Sequence, residues 1–210
     1  EHIIMKKEFI SDFELCGLAE KPQYICGVDE AGRGPLCGPV AAAAVIMPEG
    51  LIIDGVDDSK KLSEKKREEL YDIIVKNAIS YSVVFEDEKT IDEINILNAT
   101  MLAMEKAINS LNPKADFALI DGNRSKGITV PNRTVVKGDS LSHSIACASI
   151  LAKVTRDRLL IEYDEKYPLY GFKAHKGYGT KAHYEAIEKY GILPIHRKSF
   201  LKKILNEDGK

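Results

Sequence analysis

The sequence predicts an α/β domain: a central mixed β-sheet flanked by helices, continued by a helical C-terminal region. Two observations carry this. Short apolar runs, bounded by glycine, proline or acidic residues, alternate with longer segments whose apolar residues recur at helical spacing. Read in order, the segments run β β α β α β β α α, an alternation that suits a sheet covered by helices. The 210 residues suit one domain with a core that needs no staple. A hydrophobic fraction of 44% beside 30% charged residues excludes a disordered chain.

The elements follow from local chemistry. Residues 1–23 form a mixed, weakly amphipathic N-terminal extension with room for a short helix, and they carry no signal-peptide pattern. Tyr24–Val28 reads as a strand running into a glycine turn at Gly32–Gly34. Val40–Met47 is a second apolar strand, closed by the turn Pro48-Glu49-Gly50. Ser63 caps a charged helix with Leu70, Ile73 and Ile74 on its apolar side, and Ile79–Phe85 alternates as a strand. Thr90 and Glu93 fit a capping box that opens one helix to about Leu111. Phe117–Ile120 and Arg133–Val136 are short strands. A long helix spans about Leu141–Tyr163, and another spans Lys181–Tyr190, ended by Gly191. The main domain is 24–200, with 201–210 as a tail.

Net charge is −2, but it is unevenly spread. Residues 151–210 hold 13 Lys and Arg against 8 Asp and Glu, and 171–203 hold 8 against 2. An acidic body thus precedes a basic C-terminal region. The longest apolar runs, Cys37–Met47 and Ile145–Val154, fall short of the ~20 residues of a membrane helix, so a cytoplasmic protein with no membrane contact is expected. Cys16, Cys26, Cys37 and Cys147 lack metal or disulfide spacing and are expected to be reduced and partly buried.

The candidate chemistry lies at strand ends. Asp29-Glu30 follow the first strand, Asp121 ends the fourth, and Asp139 precedes the long helix. Ligands of open α/β sheets gather at such ends. Carboxylates converging there repel unless a divalent cation neutralises them, and hard oxygen donors suit magnesium or manganese rather than zinc. A single Asp at a strand end is more often a turn former or cap. Because neighbouring strand residues face opposite ways, Asp29 and Glu30 can share a site only if the strand ends there. His143, one turn past Asp139, reads as a surface or capping residue. Lys153 falls close to the helix face of Asp139, where it can orient an acid, contact phosphate or lay its stem along the helix.

Several motifs occur together. They are Gly27-Val28-Asp29-Glu30-Ala31-Gly32-Arg33-Gly34-Pro35 with Gly38-Pro39, Asp57-Asp58-Ser59-Lys60-Lys61-Leu62, Asn95-Ile96-Leu97-Asn98-Ala99-Thr100 and Ile120-Asp121-Gly122. Lys137-Gly138-Asp139, Ile145–Val154 with Arg156-Asp157, His175-Lys176-Gly177-Tyr178-Gly179-Thr180 and Leu193-Pro194-Ile195-His196-Arg197 complete the set. In this order, over residues 24–200, the chain resembles ribonuclease HII, the type 2 ribonuclease H.

The resemblance implies a ribonuclease H-like fold and an endoribonuclease. It would cut the RNA strand of RNA–DNA hybrids, and ribonucleotides embedded in duplex DNA, leaving 5′-phosphate and 3′-hydroxyl ends. Asp29, Glu30, Asp121 and Asp139 would be catalytic and bind two Mg2+ or Mn2+ ions. Gly32, Arg33, Gly34 and Tyr178 would read the ribonucleotide. Ser59, Lys60, Asn98 and Lys153, with the basic 171–203 segment, would hold the nucleic-acid backbone. The resemblance implies a monomer and leaves open whether the tail after Lys198 meets a replication clamp. A different metal nuclease of the same fold, such as a junction resolvase or integrase, type III ribonuclease H and a binding module with a decayed site are the rival readings.

Overall fold

A computed structural model describes residues 7–207; the first six residues of the N-terminal segment and the last three of the tail lie outside it. Five strands form one mixed sheet: β1 (Ile25–Ala31), β2 (Val40–Ile46), β3 (Ser80–Glu86), β4 (Phe117–Asp121) and β5 (Asn132–Val135), in the order β3-β2-β1-β4-β5. β1 pairs antiparallel with β2 and parallel with β4, and β5 extends the parallel half. The β-propensity of Val, Ile and Phe accounts for most of the strands; the alanines of β2 are there to let helices approach.

Helices cover both faces. α6 (His143–Lys166) crosses one face, and all of its first ten residues are buried. A helix buried all round carries no amphipathic stripe, and Ala146, Ala148 and Ala152 keep it thin enough to fit between the sheet and α2 (Glu64–Asn77). α4 (Ile96–Asn109) covers the other face through Ala103, Met104, Ala107 and Ile108. A short α1 (Asp12–Cys16) closes the open end by packing Leu15 and Cys16 against β4 and β5. Its Asp12 accepts hydrogen bonds from Ser142 and Ser144 at the start of α6. α8 (Lys181–Tyr190) and α7 (Phe172–His175) form the C-terminal region, with a cluster of their own around Phe172 and Leu160.

Two predicted helices differ. The expected helix from Thr90 is two helices, α3 (Glu88–Ile94) and α4. Asp87, not Thr90, caps the first by accepting from the Thr90 amide at 2.8 Å. Asn95 then turns to φ 69°, a conformation Asn tolerates better than most residues. Its side chain accepts from the Asn98 amide at 3.0 Å and starts α4. The long helix likewise begins at His143, because Ser142 caps it by accepting from Ile145 N–H and so separates it from the single turn α5 (Gly138–Leu141).

β1 and α6 approach each other backbone to backbone. A Cβ at Gly27 would sit 2.2 Å from the Ser144 carbonyl carbon, against backbone that cannot swing aside. Gly27→Ala is therefore expected to cost about 3 kcal/mol of stability, read from the urea midpoint, through forced separation of the helix and sheet.

Candidate active site

The parallel strands β1 and β4 deliver their carboxyl ends to one cleft of about 510 Å³. Asp29, Glu30, Asp121 and Asp139 all line it, together with Gly32, Arg33, Gly34 and Tyr178. Ser59, Lys60 and Lys153 also line it. Asn98 lies outside the lining; its side chain donates to the Ile94 carbonyl at 2.9 Å, and Ile96 is the α4 residue that borders the cleft.

The strand does not end at Glu30 as expected; β1 continues to Ala31 against β2. Pairing with β4 stops at Val28, however, so β1 has a free edge from Asp29 onward. Register places Asp29 on the α6 face with Ala31 and Ala43, and Glu30 on the α4 face with Ala42. The cleft opens around that free edge, and both carboxylates border it despite facing opposite ways.

The acids are held under electrostatic tension. Asp29 is only 5% exposed, and burial, then the charges of Glu30 and Asp121, push its carboxyl well above the usual carboxylate range. Asp121, the last residue of β4, is raised by burial and by Glu30, although the Asp139 amide donates to its Oδ1 at 3.3 Å. Asp139, in α5, is pushed up to about 6 by burial, by Asp121 and by Asp58. Asp58 is a fifth acid absent from the sequence-derived set: it lies near enough to raise the pKa of Asp139, while its Oδ1 accepts from the Lys60 amide at 3.0 Å. Carboxylates alone, with no thiol or imidazole in the lining, fit hard divalent cations.

The predicted backbone-holding residues differ in what they offer. Lys60 is exposed at the rim and near enough to favour the ionised forms of Asp121 and Asp139. The Ser59 hydroxyl is buried and shares a 2.7 Å hydrogen bond with Ser149, which fastens the 59–61 turn to α6. Lys153 pairs with Asp157 at 2.7 Å, and burial lowers its pKa. Arg33 reaches Glu30 at 3.5 Å across the mouth.

His143 is not at the surface. It is 4% exposed, and its Nε2 accepts from the Ile53 amide at 3.0 Å, a structural role inside the core. Nor is the basic C-terminal segment uniformly free for phosphates. Lys173, Lys181, Lys189, Lys198, Lys202 and Lys203 are exposed, but Arg197 is fully buried. It donates to the carbonyls of Gly32, Arg33, Pro35 and Gly38 at 2.6–2.9 Å. Arg156 is its companion under the same loop, donating to Cys37, Pro39 and Lys176 carbonyls at 2.8–3.0 Å. A Cβ at Gly32 would collide with Arg156 Nε at 2.1 Å, so that glycine is required by the arginine beneath it as well as by its φ of 90°. Neither arginine stood out by spacing; only the density of glycine and proline in 32–39, which leaves carbonyls without ladder partners, hinted that donors must come from elsewhere.

An α/β sheet with four carboxylates gathered at the ends of its parallel strands, facing a glycine loop, defines a hydrolase of the ribonuclease H type. Comparison narrows the class. Residues 26–203 match the family described as Ribonuclease HII, and the chain belongs to that family, whose members are endonucleases acting on RNA–DNA hybrids. A ribonuclease HII of Ruminiclostridium cellulolyticum is 59% identical over 193 residues, covering 92% of this chain and 76% of that protein. One from Caldicellulosiruptor bescii is 58% identical over 189 residues, covering 90% and 92%. Ribonuclease H2 of Pyrococcus horikoshii superposes with a TM-score of 0.69 at 29% identity, over 84% of this chain and 93% of that one. The ribonuclease HII of Archaeoglobus fulgidus, solved as a complex with PCNA, gives 0.69 at 28%, over 83% and 93%. A type III enzyme, Bst-RNase HIII in complex with Mn2+, shares the fold, with a TM-score of 0.59 at 18% identity over 80% and 63%. Among the described residues, no helix is long and apolar enough to cross a membrane.

The acid cluster carries a stability signature. Asp139 binds its proton more tightly folded, with a pKa of about 6, than at the ordinary 3.8. The folded state is thus penalised at high pH and relieved as pH falls through 6, the relief being complete below 3.8. Without divalent cations, Asp139→Asn is expected to melt higher than the parent chain at pH 8, with the difference shrinking toward pH 4. Melting curves across that range check it; a lower melting temperature for the variant at pH 8 contradicts the account.

Proposed function

We propose that this chain cleaves RNA–DNA hybrids, and duplex DNA carrying embedded ribonucleotides, by two-metal hydrolysis at the cleft between Asp29 and Tyr178. The observation that carries this is the pairing within one cleft of four mutually repelling carboxylates with Gly32–Gly34 and Tyr178. Asp29, Glu30, Asp121 and Asp139 would hold two magnesium or manganese ions, whose charge would also relieve the repulsion of Asp139 by Asp58. When bound, such ions activate water and stabilise the leaving oxygen of a phosphodiester.

The chain's own residues do the rest. Gly32 and Gly34 let a nucleic-acid strand approach the backbone, and the polar groups there meet a 2′-hydroxyl, the group that separates RNA from DNA. A Cβ at Gly34 would lie 3.5 Å from the Tyr178 ring, so the loop and the phenol form one continuous wall on which a sugar can rest. Tyr178 is 45% exposed and lines the cleft. Arg33, Lys60 and Lys153 face the phosphates, with the exposed lysines of the C-terminal region further along the track. Ser59 contributes through the placement of Lys60, and Asn98 through the start of α4 beside the cleft. The family resemblance implies action as a monomer. The cleavage would leave 5′-phosphate and 3′-hydroxyl ends.

The decisive assay is cleavage of a DNA duplex carrying one ribonucleotide, with magnesium, with manganese and with chelator. Cutting beside the ribonucleotide is expected with metal and not with chelator. Asp29→Asn and Asp121→Asn should reduce cleavage to background while hybrid binding survives; near-normal turnover in either variant removes the assignment. Cutting of an all-DNA junction but not of the hybrid would favour a resolvase instead.

Affinity should also respond to salt. Six exposed lysines between 171 and 203 release counterions when they meet phosphates, so log affinity for a hybrid falls linearly with log salt, with a slope of about −0.9 per phosphate contact. Paired Lys→Ala changes in this segment are expected to make the slope shallower, as measured by fluorescence anisotropy.

A further inference from the structure

Behind Tyr178 lies a buried cluster that the proposed chemistry does not use. His183 and His196 are 0% and 2% exposed, and their side chains meet Cys37 with ligand-type atoms within 4.8 Å of one another. Such a trio invites a metal reading, but the hydrogen bonds oppose it. The Leu193 amide, which can only donate, points at His196 Nδ1 at 2.8 Å. That nitrogen is therefore the acceptor and His196 carries its proton on Nε2. His196 Nε2–H then donates to His183 Nε2 at 2.9 Å. His183 is left with its proton on Nδ1, which donates to the Tyr178 carbonyl at 2.9 Å. No lone pair on either Nε2 remains for a cation, and burial pushes the Cys37 thiol up to about 12, so it stays protonated.

The same logic fixes His175. Its Nδ1 accepts from the Gly177 amide at 3.0 Å and its Nε2–H donates to the Tyr170 carbonyl at 2.7 Å. Its ring stacks on that of His183 with centroids 4.4 Å apart and planes 11° from parallel. Burial lowers the pKa of both His183 and His196 to about 4, which keeps the array neutral near pH 7. A proton on His183 Nε2 or His196 Nδ1 would set donor against donor.

We infer that His183 and His196 are positioning residues for ribose recognition: a neutral imidazole relay, locked in one pair of tautomers, that holds the Tyr178 backbone and so aims its ring at the cleft. This rests on the reading that Tyr178 contacts substrate. The relay has one working end, the Nδ1–H of His183 on the Tyr178 carbonyl. Thr180 N–H also donates to this carbonyl at 2.8 Å, and Tyr178 N–H donates to His175 at 3.0 Å. With every backbone polar group of Tyr178 engaged, the ring is presented from a rigid base.

Side-chain amides dissect the relay. An Asn amide overlays imidazole Nδ1, whereas a Gln amide overlays Nε2. His183→Gln should lose the bond to Tyr178 and lower kcat/KM on a hybrid about tenfold, within the range that small misplacements cost. His183→Asn should restore most of that loss. In a Tyr178→Ala background, His183→Gln should cause no further fall, because its effect passes through Tyr178. Equal losses in the Asn and Gln variants, or losses that add to that of Tyr178→Ala, would overturn the relay. Unchanged cleavage by Tyr178→Ala alone would instead remove Tyr178 from the substrate contacts and leave the underlying reading at fault. Should the Gln variant fail to fold, 15N NMR of the parent chain decides: Nδ1–H on His183 and Nε2–H on His196 are expected. The opposite tautomers, or about one zinc retained per chain, refute the relay.

Discussion

The loop that forms one wall of the cleft is held by two buried guanidinium groups, and much of the site's geometry depends on them. Residues 32–39 contain three glycines and two prolines, so they form few ladder hydrogen bonds and leave carbonyls that must find donors. Arg197 takes four of these carbonyls and Arg156 takes two, spending its remaining bond on Lys176. A guanidinium offers five donors in a rigid plane and cannot shed its charge, which makes it suited to this task and costly to leave unpartnered. Glu88 of α3 supplies opposite charge to both arginines. Through Arg156 the glycine loop and the Tyr178 segment, more than a hundred residues apart, are fastened to one planar group.

Around this clamp the fold divides its labour. The contact of Gly27 with α6 and the alanine-lined passage through the core provide rigid ground. The carboxylates of β1, β4 and α5 are placed where they destabilise one another. Such opposition is the usual mark of a site shaped for a ligand rather than for stability. The free edge of β1 reconciles the two demands: β2 holds the strand firmly on one side while the other side stays open beyond Val28.

The sheet was legible because its strands are short, apolar or alternating, and bounded by turn residues, and α8 because Gly191 marks its end. Helix starts were less so. Thr90 reads as the cap in sequence, but Asp87 caps α3, and only the packed structure shows that Asn95 breaks the run by adopting a positive φ. The four acids could be located from their places at strand ends and from the surrounding motifs. Asp58, Arg156 and the histidine relay could not, since their roles come from partners distant in sequence: Asp139, the 32–39 loop and the Tyr178 carbonyl. Reading Arg197 with its basic neighbours as a phosphate contact shows the same limit. Charge is visible in a sequence, but whether a charge faces water or the interior is decided by tertiary packing.

The capture of the Gly32 and Arg33 carbonyls by Arg197 also has a geometric corollary. A trans peptide is planar, and its N–H points opposite to its C=O. Drawing those two carbonyls inward directs the amide hydrogens of Arg33 and Gly34 the other way. The guanidinium thus acts on the cleft without touching it: its charge is consumed by oxygen atoms on the inner side of the loop, while the positive ends of two peptide dipoles are turned outward. A buried arginine here works as a template for backbone polarity, giving a flexible glycine segment a fixed pattern of donors.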